Sequence, residues 1–149
     1  MEGFTFSTDL SVRFSETDAQ GIANNAVYLN WYEVARVAYL ERFAGGYLGM
    51  IEQGFEALTL ETHVRYLLPT RFDDKLRVHT RIADLRGARF RFEYEIERLS
   101  DPAGLVADGW TSHATVDAET FRPTRVPAWL ADALAAAEPD GEEGSAVNA

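Results

Sequence analysis

The sequence predicts an α+β domain in which five antiparallel strands cover one long helix. Three observations predict it. Five segments alternate apolar and polar residues with the period of a half-buried strand. One stretch between the first and second of these segments switches to helical period and is apolar on most of its circumference. The breaks between segments carry Gly, Pro and Asp, the residues of turns.

The first strand is expected over Phe4 to Phe14, with Phe4, Phe6, Leu10, Val12 and Phe14 on one face. A polar loop follows, Ser15-Glu16-Thr17-Asp18-Ala19-Gln20-Gly21. The helix is expected from about Asn25 to Phe43. Val27, Tyr28, Trp31, Tyr32, Val34, Ala35, Ala38 and Tyr39 form its main apolar arc, and Leu29, Val37 and Leu40 a second strip. A helix so nearly surrounded by apolar side chains belongs in a core. Asn24 and Asn25 suit its N-cap, and Gly45-Gly46 ends it.

Four more strands follow. Leu58, Leu60, Val64, Tyr66 and Leu68 share a face, then Leu76, Val78, Thr80 and Ile82, then Phe90, Phe92, Tyr94 and Ile96, then Val106, Trp110, Ala114 and Val116. Their turns lie at Pro69 with Asp73-Asp74, at Arg86-Gly87 and at Asp101 to Gly104. Pro127 to Ala137 reads as a short amphipathic helix. One domain spans residues 1–137, and the acidic, Gly- and Ser-rich stretch 138–149 is expected to be a disordered tail.

The chain has 149 residues, 46% of them apolar, which is enough to bury a core. Its formal net charge of −10 repels nucleic acid and anionic membranes. No apolar run approaches a bilayer span, and the N-terminus lacks a secretory pattern, so a cytoplasmic location is expected. Cysteine is absent, which excludes disulfides, thiolate metal sites and a cysteine nucleophile. No P-loop, dinucleotide fingerprint or G-x-S-x-G element occurs.

The informative stretch runs from Phe14 to Arg36. Asp18 lies in the loop that leads to the helix N-terminus, whose free amides and partial positive charge can hold an oxyanion. Gly21 permits a turn and a close ligand approach. A carboxylate beside amide donors can attack a carbonyl. On residue types alone, an Asp before a helix is more often a cap or turn residue.

Thr17-Asp18-Ala19-Gln20-Gly21, Asn24-Asn25, Tyr28, and Glu33 with Arg36 together resemble the signature of hotdog-fold thioesterases of the 4-hydroxybenzoyl-CoA thioesterase type. Arg65-Tyr66 with Pro69, and Asp74-Lys75-Leu76, extend the likeness, which covers about residues 4–122. The resemblance implies a five-stranded antiparallel sheet wrapped round the helix, with subunits joined as homodimers or homotetramers and an active site between subunits. It implies an acyl-CoA substrate and thioester hydrolysis. Asp18 would serve as nucleophile or general base, and the Asn25 amide would hold the carbonyl oxygen. Some relatives carry Tyr or His where this chain has Asn25, and a second branch has Gly-His before its Asn pair where this chain has Gly21-Ile22. An imidazole is therefore not expected in the chemistry, and neither a metal nor a cofactor is required.

The expected catalytic set is Asp18, Asn25 and Gly21, with Asn24, Tyr28, Trp31, Arg86 and Arg89 in substrate binding. Arg86 and Arg89, beside the Gly87 turn, suit CoA phosphates. His63, His79 and His113 read as solvated or interfacial, and Glu33 and Arg36 as an i,i+3 ion pair. A dehydratase is disfavoured because no histidine occurs between Asp18 and Phe43. The alternative of another class is a non-catalytic acyl-CoA or acyl-carrier binding protein of the same fold.

Overall fold

The computed structural model describes residues 3–138. Five strands, β1 (Ser7–Ser11), β2 (Phe55–Tyr66), β3 (Lys75–Arg86), β4 (Arg89–Arg98) and β5 (Gly104–Asp117), form one antiparallel sheet in the order β1-β3-β4-β5-β2. The long helix α1 (Val27–Phe43) lies between β1 and β2 in sequence, and the sheet wraps around it. A short α2 (Tyr47–Glu52) follows, and α3 (Ala128–Ala137) closes the described chain. This is the hotdog architecture. The sequence reading did not include α2, which buries Met50.

The core lies between α1 and the inner face of the sheet. Tyr28, Trp31, Tyr32, Ala35, Tyr39 and Leu40 of α1 are buried against Leu76, Val78 and Ile82 of β3 and Phe90, Phe92, Tyr94 and Ile96 of β4. Full burial of a large apolar side chain contributes about 1.5–3 kcal/mol, so these two strands carry much of the stabilisation. Along both strands the expected phase holds. Tyr32 stacks on Tyr94 with ring centroids 4.0 Å apart.

Four expectations are corrected. First, β5 is inverted. The register pairs Phe90 with His113 and Phe92 with Thr111, so Thr111 and His113 face the core. Trp110 faces outward, with His63 and Arg91 on its ring. Second, β2 carries a bulge between Thr59 and Glu61. A bulge changes phase: beyond it Thr62, Val64 and Tyr66 hold the inner face, but before it Thr59 points inward to His113, so Leu58 faces outward beside Ala114 and Leu60 is left exposed. Third, β1 ends at Ser11, and a 3-10 turn at Phe14–Glu16 follows. Phe14 is exposed against Phe72, and Phe4 packs near His79 and Arg81 rather than in the core. Fourth, one sheet covers only one side of a helix, so Leu29, Val34 and Val37 remain exposed in the single chain.

Polar expectations also change. His79 is buried and contacts Glu97 at 2.8 Å. His113 sits in a buried chain of hydrogen bonds: its Nε2 is 2.7 Å from Thr111 Oγ1, which is 2.7 Å from the Tyr94 hydroxyl. Burial, aided by the nearby Arg36 charge, pushes the His113 imidazole down to about 3. Arg36 donates to Tyr94 (3.1 Å) in place of the expected pair with Glu33. Glu138, the first residue of the expected tail, is buried and accepts the Tyr39 hydroxyl at 2.7 Å. Residues 139–149 lie outside the described residues. No described helix is long and apolar enough to cross a membrane.

Candidate active site

Asp18 stands in a tight loop between the 3-10 turn and α1. Thr17 and Ala23 form an isolated antiparallel bridge, and the Asp18 N–H donates to the Ile22 carbonyl at 2.9 Å. The Gly21 N–H returns to the Asp18 carbonyl at 2.9 Å, and its φ of 79° lies in the left-handed region that glycine supplies at little cost. The loop is latched from both sides. The Ala23 N–H donates to Thr70 in the β2–β3 connection, and the Asn24 N–H to the Glu16 carbonyl, both at 2.8 Å.

The Asp18 side chain accepts the Gln20 N–H on Oδ1 at 2.8 Å. Among the described residues its Oδ2 has no hydrogen-bond partner. The carboxylate lines a cleft of about 330 Å³ together with Gln20, Ile22, Asn25, Tyr28 and Tyr66. Apolar side chains, Leu67 and Leu68 among them, supply much of the remaining wall. The cleft opens where α1 begins.

At the start of α1 the Asn25 amide is left without a partner among the described residues. The Ala26 N–H donates to Asn24 Oδ1 (2.9 Å) and the Val27 N–H to the Asn24 carbonyl (3.0 Å). With the Asn24 N–H also used, Asn25 is the residue of this run whose N–H has no acceptor among the described residues. Asn24 closes an Asx turn just ahead of the helix, whose N-cap is Ala26 and not the expected Asn24 or Asn25. The Tyr28 hydroxyl pairs with Thr70 Oγ1 at 2.9 Å, and burial pushes that phenol upward.

The structure brings Asp18, Asn25 and Tyr28 to one cleft and places Gly21 and Asn24 in its frame. Trp31 lies deeper, buried, with its indole N–H on Glu16 Oε2 at 3.1 Å. Arg86 and Arg89 sit at the β3–β4 turn. Within one chain that is the far end of β4 from Arg98, which bonds to the Pro69 carbonyl beside the cleft.

Three residues at the site were not among the expected site residues. Glu16 is buried, and its carboxylate holds both Trp31 and the Arg13 backbone N–H. Tyr66 donates to the Asn25 carbonyl at 2.7 Å. The Arg71 guanidinium approaches the loop, 3.9 Å from where a side chain on Gly21 would begin. A Glu three residues after Arg13 fits a capping box and could have flagged Glu16; Tyr66 entered only through the family likeness, and Arg71 carries no local signal.

Residues 12–134 match the thioesterase-like superfamily. The acyl-CoA thioesterase candidate YneP of Bacillus subtilis is 34% identical over 116 residues, covering 77% of this chain and 82% of that protein. The DHNA-CoA thioesterase of Staphylococcus aureus superposes with a TM-score of 0.84 at 26% identity, covering 93% of each chain. A thioesterase of Thermus thermophilus, solved with coenzyme A and zinc, gives 0.78 at 29% identity over 93% of this chain and 98% of its own.

Proposed function

The chain belongs to the thioesterase-like superfamily, and from that premise we propose that it is an acyl-CoA thioester hydrolase that works through Asp18 and the Asn25 amide. The observation that carries this reading is their shared cleft: Asp18, with a carboxylate oxygen free among the described residues, and Asn25, whose N–H has no acceptor among them, line the same opening.

A thioester carbonyl is activated because sulfur donates little electron density into it. Bound in the cleft, its oxygen accepts the Asn25 N–H, and the N-terminal field of α1 favours the negative charge that develops there. Asp18 Oδ2 acts in one of two ways. It adds to the carbonyl carbon and expels the CoA thiolate, leaving an anhydride that water cleaves; or it takes a proton from a water that adds instead. Both routes end in free acid and CoA.

The outer edge of β2 is unpaired along its length among the described residues and exposes Leu60 and Tyr66. An open edge of this kind is a template for pairing, and we place the homodimer contact there. Antiparallel pairing of two β2 edges sets the Tyr66 end of one chain beside the Phe55 end of the other. Phe55 lies at the same end of the sheet as Arg89, since β5 pairs with both β2 and β4 there. The second copy's Arg86 and Arg89 thereby come to the side of the sheet that carries the cleft, where they meet CoA phosphates. The exposed strip of Leu29, Val34 and Val37 on α1 offers the further contact that a homotetramer needs. A cytoplasmic location is part of this reading.

The test is thiol release from aromatic, short-chain and long-chain CoA esters by the wild type and by Asp18→Asn. Turnover in the wild type that is lost in the variant is expected. Undiminished turnover in a folded Asp18→Asn protein would overturn the role of Asp18. Binding of the esters without any thiol release would favour the non-catalytic alternative.

A further inference from the structure

We propose that α2 of one chain forms the outer wall of the cleft in the second copy, where its Leu48 and Ile51 lie against the acyl group; the proposal rests on the hydrolase and homodimer readings above. Two apolar surfaces of the single chain lack cover. On α2, Met50 turns into the core, while Leu48 and Ile51 are exposed, Leu48 at 73%. Those two are three residues apart and so share one face of the helix. At the cleft, Tyr66, Leu67 and Leu68 line the wall and are exposed as well. Within one chain the two surfaces cannot meet. α2 ends just before Phe55, the first residue of β2, and Leu67 and Leu68 follow Tyr66, its last. Twelve residues of extended strand hold them roughly 40 Å apart.

β2 is the long open edge of the sheet. Antiparallel pairing of two such edges is symmetric about a two-fold axis perpendicular to the sheet. That axis keeps both copies of α1 on one side, and α2 stays with them, since its Met50 joins the same core. It also exchanges the two ends of the strand, so each α2 is carried to the Tyr66 end of the other copy. Surfaces unmatched in one chain are thereby matched twice in the pair. An acyl group laid between them loses apolar area to water on both sides, which is favourable. It is held there while Asp18 and the Asn25 amide act on the carbonyl. An acyl group too short to reach α2 gains nothing from this wall.

The chain has no cysteine, so introduced thiols report without background. A chain carrying both Leu48→Cys and Leu68→Cys, treated with a short bismaleimide, is expected to give a covalent dimer, whereas neither single variant is. No such linker spans the length of β2 within one chain. The role in binding is read from thiol release by the double variant Leu48→Ala/Ile51→Ala. Its kcat/KM is expected to fall at least about tenfold for hexanoyl-CoA and less than about twofold for acetyl-CoA. Absence of the covalent dimer overturns the proposal, and so does an equal loss on the two esters or no loss on either. The readings fail separately. A wild type that releases no thiol sinks the hydrolase reading, and one that sediments as a monomer sinks the homodimer contact and the α2 wall with it. An active, dimeric wild type without the cross-link or without the discrimination by acyl length sinks only the role of α2.

Discussion

At its N-terminal end α1 is held by directional hydrogen bonds, from Tyr28 to Thr70, Trp31 to Glu16, and Tyr66 to the Asn25 carbonyl. At its C-terminal end Tyr39 and Phe43 pack among Phe6 and Phe92, with ring centroids 4.8–5.7 Å apart. The Tyr39 hydroxyl there reaches Glu138, just past α3. The first end fixes backbone orientation and leaves a cleft; the second fills space. Hydrogen bonds define direction at little cost in volume, so an open site can still be rigid. Interlocked rings gain stability in proportion to the area they bury and leave no room for a ligand.

Asp18→Asn gives the largest expected effect. A positioned acid or base contributes about 10²–10⁴-fold, and thiol release should fall by that order. Thermal unfolding should hardly move, because asparagine can still accept the Gln20 N–H. A large loss of stability would break the division between the two ends.

Phe92→Ala is the converse. Phe92 is fully buried, and its loss should cost about 3–5 kcal/mol in urea unfolding. Turnover per folded molecule should be retained, and a proportionate loss would show that the ring-packed end also shapes the site.

Gly109→Ala is smaller and bears on the wall between β2 and β5. An added methyl would press into the His63 carbonyl oxygen and lie 2.7 Å from the Tyr32 hydroxyl. Backbone must shift to admit it, at about 1–3 kcal/mol. An unfolding midpoint unchanged from wild type would show that β2 yields freely at this point.

His113→Gln should change a slope. The imidazole titrates near 6.5 when free and at about 3 in the fold. Between those values the unfolded chain binds the proton and the folded one does not, so stability falls as pH drops from about 6.5 toward 3. This component, at most about 1.4 kcal/mol per pH unit, should vanish in the variant. Parallel stability profiles for the two proteins between pH 7 and 5 would refute a neutral, buried His113.

The α1 helix, β3, β4 and the Asp18 loop were legible in the sequence because each is encoded locally. Alternation along β4 is unbroken from Phe90 to Ile96, and Gly21 marks the turn by its backbone freedom. The phase of β5 was not legible. Thr111 and His113 are polar but face inward, where they satisfy one another with Tyr94. The bulge in β2 likewise lets Leu60 depart from the alternation that Val64 and Tyr66 follow. The match of residues 12–134 to the thioesterase-like superfamily agrees with the family read from the 14–36 stretch.

By itself the sequence determined the fold class, the family signature and the carboxylate at the mouth of the helix, since burial period and turn chemistry act over a few neighbouring residues. Only the tertiary structure decided which side chains meet around the cleft. Tyr66 lies 41 residues from Asn25 and Thr70 lies 42 from Tyr28. Contacts at that separation depend on the register and bulges of a paired sheet, which no single segment specifies.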